Sequence, residues 1–397
     1  SGVQQAISPA HPDKGKGSIM KSFIKPLFFI LAVSMVFCFA ACGNAGKPAD
    51  AQTSDPEASA PAENEPDARV ITDILGRQVE LPQEIHTIAA INGAARMLTY
   101  AGAADMLVGV TDMDKTPAAG MPYSIVNADA FKDLASVGSG GSGDTVYTEE
   151  LVALSPDVIF AFTNDVDSVD NVQAKTGIPV VGIYADGIFS QSLYDTLTLI
   201  GEVTGTQTRC IQVIDAMKGW ADDLNSRTED IAEGDKPDVY AGAISFRGGH
   251  GIDGTYGEYP PFVAVNAKNV VDETGISGAM LIDLEELAVW DPDIIFIDPN
   301  NLALVNENYA VNAAFYNSLS AVKAGQVYTQ VAFNYNWCNM ELAMVDAYYA
   351  GIIIYPDRFS DVDFEKKAEE IFNIMLGRDY LPVLEEAGIG FGQLTIG

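Results

Sequence analysis

From Arg69 onward, apolar residues arrive in short runs separated by turn-forming residues. Arg69–Glu80 (RVITDILGRQVE) alternates apolar and polar positions around Leu75-Gly76-Arg77, which predicts a hairpin. His86–Ile91, Leu107–Val110, Asp157–Phe162 and Ile178–Ile183 carry apolar, often β-branched runs, the mark of buried strands. Arg96–Ala101, Glu149–Leu154 and Leu193–Val203 predict helices between them. Strands that alternate with helices imply parallel sheets with helical crossovers. After Gly205 the period changes. Ile211, Ile214, Met217, Trp220, Ala221 and Leu224 recur at helical spacing, which predicts one long amphipathic helix over Gln207–Ile231. Beyond Pro237 the alternation resumes, with strands at Val239–Ile244, Asp293–Ile297 and Gln326–Val331. Helices are predicted at Glu285–Val289, Met340–Ile354 and Phe364–Leu376.

One phrase occurs twice. TEELVALSPDVIFAF at Thr148–Phe162 and LEELAVWDPDIIFID at Leu284–Asp298 share Glu-Glu-Leu, Pro-Asp and Ile-Phe at the same offsets. Each reads as a short helix, a Pro-Asp stop and a buried strand. The same joint on either side of a long helix predicts two similar lobes. The expected fold is α/β, two Rossmann-like lobes with mainly parallel sheets joined by one linker helix. The boundaries are 69–206 for the first lobe, 207–235 for the linker and 236–397 for the second.

Composition narrows the function. The chain has 397 residues, with 22 Lys plus Arg against 55 Asp plus Glu, a formal net charge of -33. Such a surface repels phosphate backbones and anionic lipid, so nucleic-acid binding is set aside. The segment beginning at Met20 has Lys21 and Lys25 ahead of an apolar stretch, Pro26–Ala40, and then Phe39-Ala40-Ala41-Cys42. This resembles a bacterial lipoprotein signal over 20–42, with Cys42 as the lipidated residue. Residues 1–19 read as an artificial or misassigned extension, and 43–68, rich in Ala, Pro, Glu, Asp and Ser, as a flexible tether. The expected location is extracytoplasmic, anchored to the cell membrane by lipid. Apart from Cys38 and Cys42 the chain has Cys210 and Cys338, without metal-binding spacing; whether they pair is left open.

Further stretches carry a family resemblance: ITDILGRQVELP (71–82), INGAARMLTYAGAADMLVGV (91–110), ELVALSPDVIF (150–160), GIPVV (177–181), IGEVTG (200–205), HGIDGTYGEYPPF (250–262) and NMELAMVDAYYAGIIIYPDRF (339–359). In this order and spacing the chain resembles the substrate-binding lipoproteins of ABC importers for iron complexes, haem and cobalamin. The resemblance implies a monomer that captures a solute between its lobes and hands it to permease and ATPase subunits. It implies no catalysis, no cofactor and no resident metal.

Ligands of open α/β sheets bind beyond the carboxyl ends of strands. In the first lobe the candidates are Asn92 and Arg96 in a strand-loop-helix joint, Ser142 in the Gly-rich Ser139–Asp144 loop, Asn164 and Tyr184. In the second they are Arg247, His250, Tyr256 and Tyr259 in Ser245–Tyr259, then Tyr335 and Trp337 after a strand. Their blend of cationic and flat aromatic groups suggests a ferric siderophore. Haem, cobalamin or an oxyanion such as molybdate are the alternatives. The resemblance also implies an acid on each lobe that meets permease arginines. Glu341 stands at that position in the second lobe, whereas the first has Arg96 there, facing either ligand or permease. A chelatase-like enzyme is the rival of another class, but no GxSxG or HExxH pairing supports it.

Overall fold

The first strand pair follows from its punctuation. In this computed structural model, which describes residues 68–141 and 143–397, β1 (Arg69–Thr72) and β2 (Gln78–Leu81) pair antiparallel around Gly76, whose φ of 81° suits glycine. The described residues belong to one compact unit. The leader, Cys42, nearly all of the tether and Ser142 lie outside them.

Two parallel sheets follow. The first runs β5-β4-β3-β6-β7, from β3 (Ile88–Ile91), β4 (Leu107–Thr111), β5 (Ala135–Gly138), β6 (Val158–Phe162) and β7 (Val180–Ile183). The second runs β10-β8-β12-β13, from β8 (Asp238–Gly242), β10 (Lys268–Asn269), β12 (Ile294–Ile297) and β13 (Val327–Thr329). A small antiparallel pair, β9 (Gly254–Gly257) and β11 (Gly278–Leu281), was not legible in the sequence because four of its eight residues are Gly or Ala. Strand order reverses between β3 and β6 in one lobe and between β8 and β12 in the other.

The repeated phrase does the same work twice. Each helix, Thr148–Leu154 and Leu284–Trp290, buries its Leu151 or Leu287 and stops at a left-handed residue, Ser155 or Asp291. The Asp after the proline then ties down the neighbouring strand. Asp157 Oδ2 accepts from the backbone N–H of His86 and Thr87, both at 2.8 Å, at the entry to β3. Asp293 Oδ2 accepts from Asp238 N–H at 2.9 Å, at the entry to β8.

The linker helix spans Gln207–Thr228 and buries Cys210, Val213, Ile214, Met217, Trp220 and Leu224. Cys210 and Cys338 are both free thiols. The chain after the second sheet packs on its own lobe, where Phe364–Leu376 lies against Met340–Ile354, and reaches the first lobe as well. Phe364–Leu376 packs against the first lobe's helices Ala94–Tyr100 and Pro122–Val126, and Tyr380 Oη donates to the Ala119 carbonyl at 2.9 Å. Gly392 N–H then returns to Thr329 Oγ1 at 2.8 Å. The segment assigned by sequence to the second lobe, 236–397, thus covers part of the first, because Phe364–Leu376 is amphipathic and that lobe has a helical face to bury it.

Candidate functional site

The turn after β3 and the loop beyond β13 meet along one seam. At the end of β3, Asn92 and Gly93 both adopt left-handed conformations, with φ of 57° and 81°, and turn the chain into the Ala94–Tyr100 helix. In the loop that follows β13, Asn336 and Trp337 are left-handed as well, with φ of 52° and 71°. Non-glycine residues hold such conformations only when surrounding contacts fix them.

Those contacts form a buried network across the seam. Arg96 Nε donates to Asn339 Oδ1 at 2.9 Å, and its Nη2 donates to the Asn336 carbonyl. The guanidinium lies 4.7 Å above the Tyr123 ring. Asn336 Nδ2 donates to Tyr123 Oη at 2.9 Å, and its Oδ1 accepts from Gly141 N–H at 3.1 Å. Tyr123 Oη in turn donates to Asp114 Oδ1 at 2.6 Å. Asn339 Nδ2 is shared among the carbonyls of Gly120, Phe333 and Tyr335 at 2.9 to 3.0 Å. Burial pushes the Asp114 carboxyl up, against the hydrogen bonds from Tyr123 and Thr111.

This network decides two expectations. Arg96 is fully buried and faces neither solvent nor a permease. Glu341 is fully buried too, with Tyr100 Oη donating to its Oε2, so it offers no surface on which a permease could dock. Both lie on helix turns where the lobes press together, a tertiary placement that helix position alone does not reveal. Burial raises the Glu341 carboxyl, opposed by the Tyr100 hydrogen bond, and burial followed by the Glu341 charge raises Tyr100 well above its usual value.

Beside the network is an aromatic cluster. Trp337 from the second lobe meets Phe162 edge-on at 5.7 Å, and Phe162 lies 6.1 Å from Tyr184. A Cβ on Gly93 would stand 2.9 Å from Trp337 Cδ1, so the indole rests on the turn that holds Asn92. Trp337 and Tyr335 remain 45% and 48% exposed, unusual for large rings in such a setting. A cavity of about 310 Å³ opens along the seam beside Tyr335, lined by Ala118–Gly120, Ser245, Asn334 and Ile389 among others.

The other candidates lie apart. Asn164 is exposed just past β6. Arg247 is exposed, left-handed at φ 52° and without an ion pair among the described residues. His250 is turned into its own loop. Its Nε2 is 2.8 Å from the Phe246 carbonyl and its ring stacks on Phe246 at 4.2 Å. Tyr256 and Tyr259 meet edge-on at 5.9 Å, with Tyr259 buried. The sequence reading missed Asp114, Tyr123, Asn336 and Asn339, none of which carries a spacing signal.

Known proteins share this architecture. The molybdate-binding protein MolA of Haemophilus influenzae is 23% identical over 340 residues, covering 79% of this chain and 92% of that protein. Its molybdate-bound structure superposes with a TM-score of 0.62 and 22% identity over 79% of this chain and 99% of that one. The TroA-like periplasmic binding protein FepB of Veillonella parvula gives 0.60 at 19% identity, over 78% and 97%. Helicobacter pylori CeuE with Ni(II) bound gives 0.56 at 16% identity, over 79% and 99%. At such identities these likenesses establish the two-lobed fold. The periplasmic binding protein family matches residues 88–331, more than half of the sequence, and the chain belongs to that family.

Proposed function

We propose that the protein is the substrate-binding component of an ABC importer and carries a ferric complex of an organic chelator between its lobes. The observation that carries the ligand class is the pair of half-exposed rings, Tyr335 and Trp337, on the loop that bridges the seam. Flat apolar faces beside a cavity suit an organic ligand better than a bare ion. Tyr184 and Phe162 extend the aromatic cluster from Trp337, and Arg247, exposed on the Ser245–Tyr259 loop apart from the seam, is the proposed cation for an anionic chelate. The family and the relatives described as ABC transporter proteins support the import role. Permease and ATPase subunits are the expected partners. Cys42 is the proposed lipid attachment point, and replacing it with Ala should release the protein from membranes.

A second reading, a molybdate-type oxyanion, is favoured by the likeness to MolA and by the guanidinium of Arg96 at the seam, whose Nη1 has no protein partner. Quenching of Trp337 fluorescence separates the two. The panel holds ferric hydroxamates and catecholates, haem, cobalamin and molybdate. Ferric chelates are expected to quench, and Trp337→Phe to lose most of that signal. Arg247→Ala should weaken binding by about 2–5 kcal/mol. A response to molybdate alone transfers the assignment to the oxyanion, and silence across the panel removes both readings.

A further inference from the structure

The wall of the seam cavity has an acid directly behind it. Ser245, Asn300 and Asn334 are among the residues that line the cavity. Asp298 follows β12 and is fully buried. Its side-chain hydrogen bonds all come from that wall. Asn300 N–H and Asn300 Nδ2 donate to its Oδ1 at 2.9 and 3.0 Å, and Ser245 Oγ approaches its Oδ2 at 3.4 Å. The wall is itself held in place. Asn301 Nδ2 donates to Ser245 Oγ and Asn334 Nδ2 to the Ser245 carbonyl, both at 2.7 Å. One layer of side chains therefore separates the carboxyl from a solute in the cavity.

On its far side Asp298 borders a chamber of about 10 Å³, where Tyr256, Tyr259 and Gln330 face it. Its charge bears on Tyr259 and on the buried Asp346 of the Met340–Ile354 helix. Both phenols are raised by burial and stay neutral at neutral pH. On the loop that begins at Ser245, Arg247 is exposed and His250 turns to the Phe246 carbonyl. No cationic side chain bears on Asp298, and burial pushes its carboxyl up to about 6 against the hydrogen bonds from Asn300 and Ser245. Asp346 is raised further, by burial first and by the charge of Asp298 in addition.

Near neutral pH the empty cavity is thus backed by a carboxylate with no counter-ion. An anion in the cavity meets that charge across a single side-chain layer, where water screens little. A proton from solvent relieves the repulsion, and the carboxyl already favours its neutral form. A neutral solute needs no such relief.

We infer that Asp298 is a specificity-determining residue for the charge of the solute: an anion enters the seam cavity with one proton, taken from solvent and held on the Asp298 carboxyl, whereas a neutral solute enters alone. The inference rests on the import reading above. It makes capture of an anion tighten as pH falls and release follow a rise in pH.

The test uses the full chain and calorimetry in two buffers of different ionisation enthalpy, from about pH 6.5 to about pH 8. The probes are a ferric tris-catecholate and molybdate, both anionic, and a neutral ferric trihydroxamate. The wild type should take up about one proton per anion bound and lose affinity by up to about tenfold for each pH unit. The trihydroxamate should bind without proton uptake. Asp298→Asn keeps an acceptor for Asn300 and should bind the anions at least as tightly, with no uptake and no loss across the range. Asp346→Asn should keep the uptake, which separates the two buried acids. Urea unfolding without ligand checks the same proton. A raised carboxyl contributes stability below the ordinary carboxylate range and loses it as pH rises through about 6, so the wild type should fall further than Asp298→Asn. Identical slopes overturn the inference. Anion binding without proton uptake, or with the same uptake in Asp298→Asn, overturns it and leaves the import reading standing. Binding of molybdate alone removes the chelate reading, and the proton count on molybdate then decides this inference by the same rule. If no anion binds, the inference falls, and the chelate reading falls with it only when the trihydroxamate is silent too.

Discussion

Arg96 Nε reaches Asn339 Oδ1 at 2.9 Å across the two lobes, and both side chains are fully buried. The contact fixes more than distance. With its oxygen taken by the guanidinium, the Asn339 amide must turn its Nδ2 toward the carbonyls of Gly120, Phe333 and Tyr335. One arginine thereby sets the start of the Met340–Ile354 helix and the loop that carries Tyr335 and Trp337.

Removing that arginine should therefore disturb both lobes. Arg96→Met keeps the apolar stem but leaves Asn339 Oδ1 and the Asn336 carbonyl without their donor. Hydrogen bonds to a charged group contribute about 1.5–3 kcal/mol each, and a loss of about 2–4 kcal/mol is expected from urea unfolding. Arg96→Lys should not restore it, since an ammonium cannot serve both acceptors from a planar fork. Wild-type stability in either variant would mean that the network is slack.

Glu341 gives a pH dependence with a definite sign. Its carboxyl is raised by burial, so the folded state holds the proton more tightly than the unfolded state. Its contribution is full below the ordinary carboxylate range and is lost as pH rises through the raised folded value. Glu341→Gln stays neutral and keeps an acceptor for Tyr100. The variant should match the wild type at acid pH and exceed it at neutral pH in chemical unfolding; the reverse order would show that the ionised form is the stabilised one.

Asp157 should behave in the opposite way. Burial acts to raise it, but the hydrogen bonds from His86 and Thr87 outweigh burial and lower it overall. Its stabilising share is present above the ordinary carboxylate range and lost as pH falls through the lowered value. Asp157→Ala should cost about 1–2 kcal/mol at neutral pH and less in acid. Asp293→Ala, its counterpart, should cost a similar amount at neutral pH. A pair of silent variants would reduce the repeated phrase to a coincidence of wording.

That phrase also marks how far the sequence could be read. Its Leu, Pro and Asp positions foretold helix, stop and strand in both lobes because each answers to a local rule. The long helix was legible for the same reason, ending at Thr228 rather than Ile231. The seam was not. Arg96 and Glu341 look like solvated helix-face charges, and only tertiary contact between residues far apart in the chain buries them. Asn336 and Asn339 carry no spacing signal either, since their partners are backbone carbonyls and a tyrosine from the other lobe.

Gly93 should be intolerant of a side chain. At φ 81° an alanine costs about 1–2 kcal/mol, and its Cβ would press on the Trp337 indole at 2.9 Å. Gly93→Ala is expected to lose that stability, shift Trp337 emission and weaken ligand quenching together. Unchanged emission would place the indole elsewhere in solution.

Solute binding should move the lobes little. An uninterrupted helix of 22 residues joins them, and such a strut resists hinge rotation. Small-angle scattering with and without ligand should give nearly the same radius of gyration, and a large contraction would contradict a stiff linker.

The return of Phe364–Leu376 to the first lobe has a consequence for how the molecule is made. Residues 69–206 can assemble their sheet as soon as they are available, yet their outer layer is finished only when the segment beyond Phe364 arrives. During synthesis or export the early lobe therefore carries an uncovered apolar face for as long as the remaining chain takes to emerge. That interval is when a chaperone would be needed and when truncated chains would aggregate.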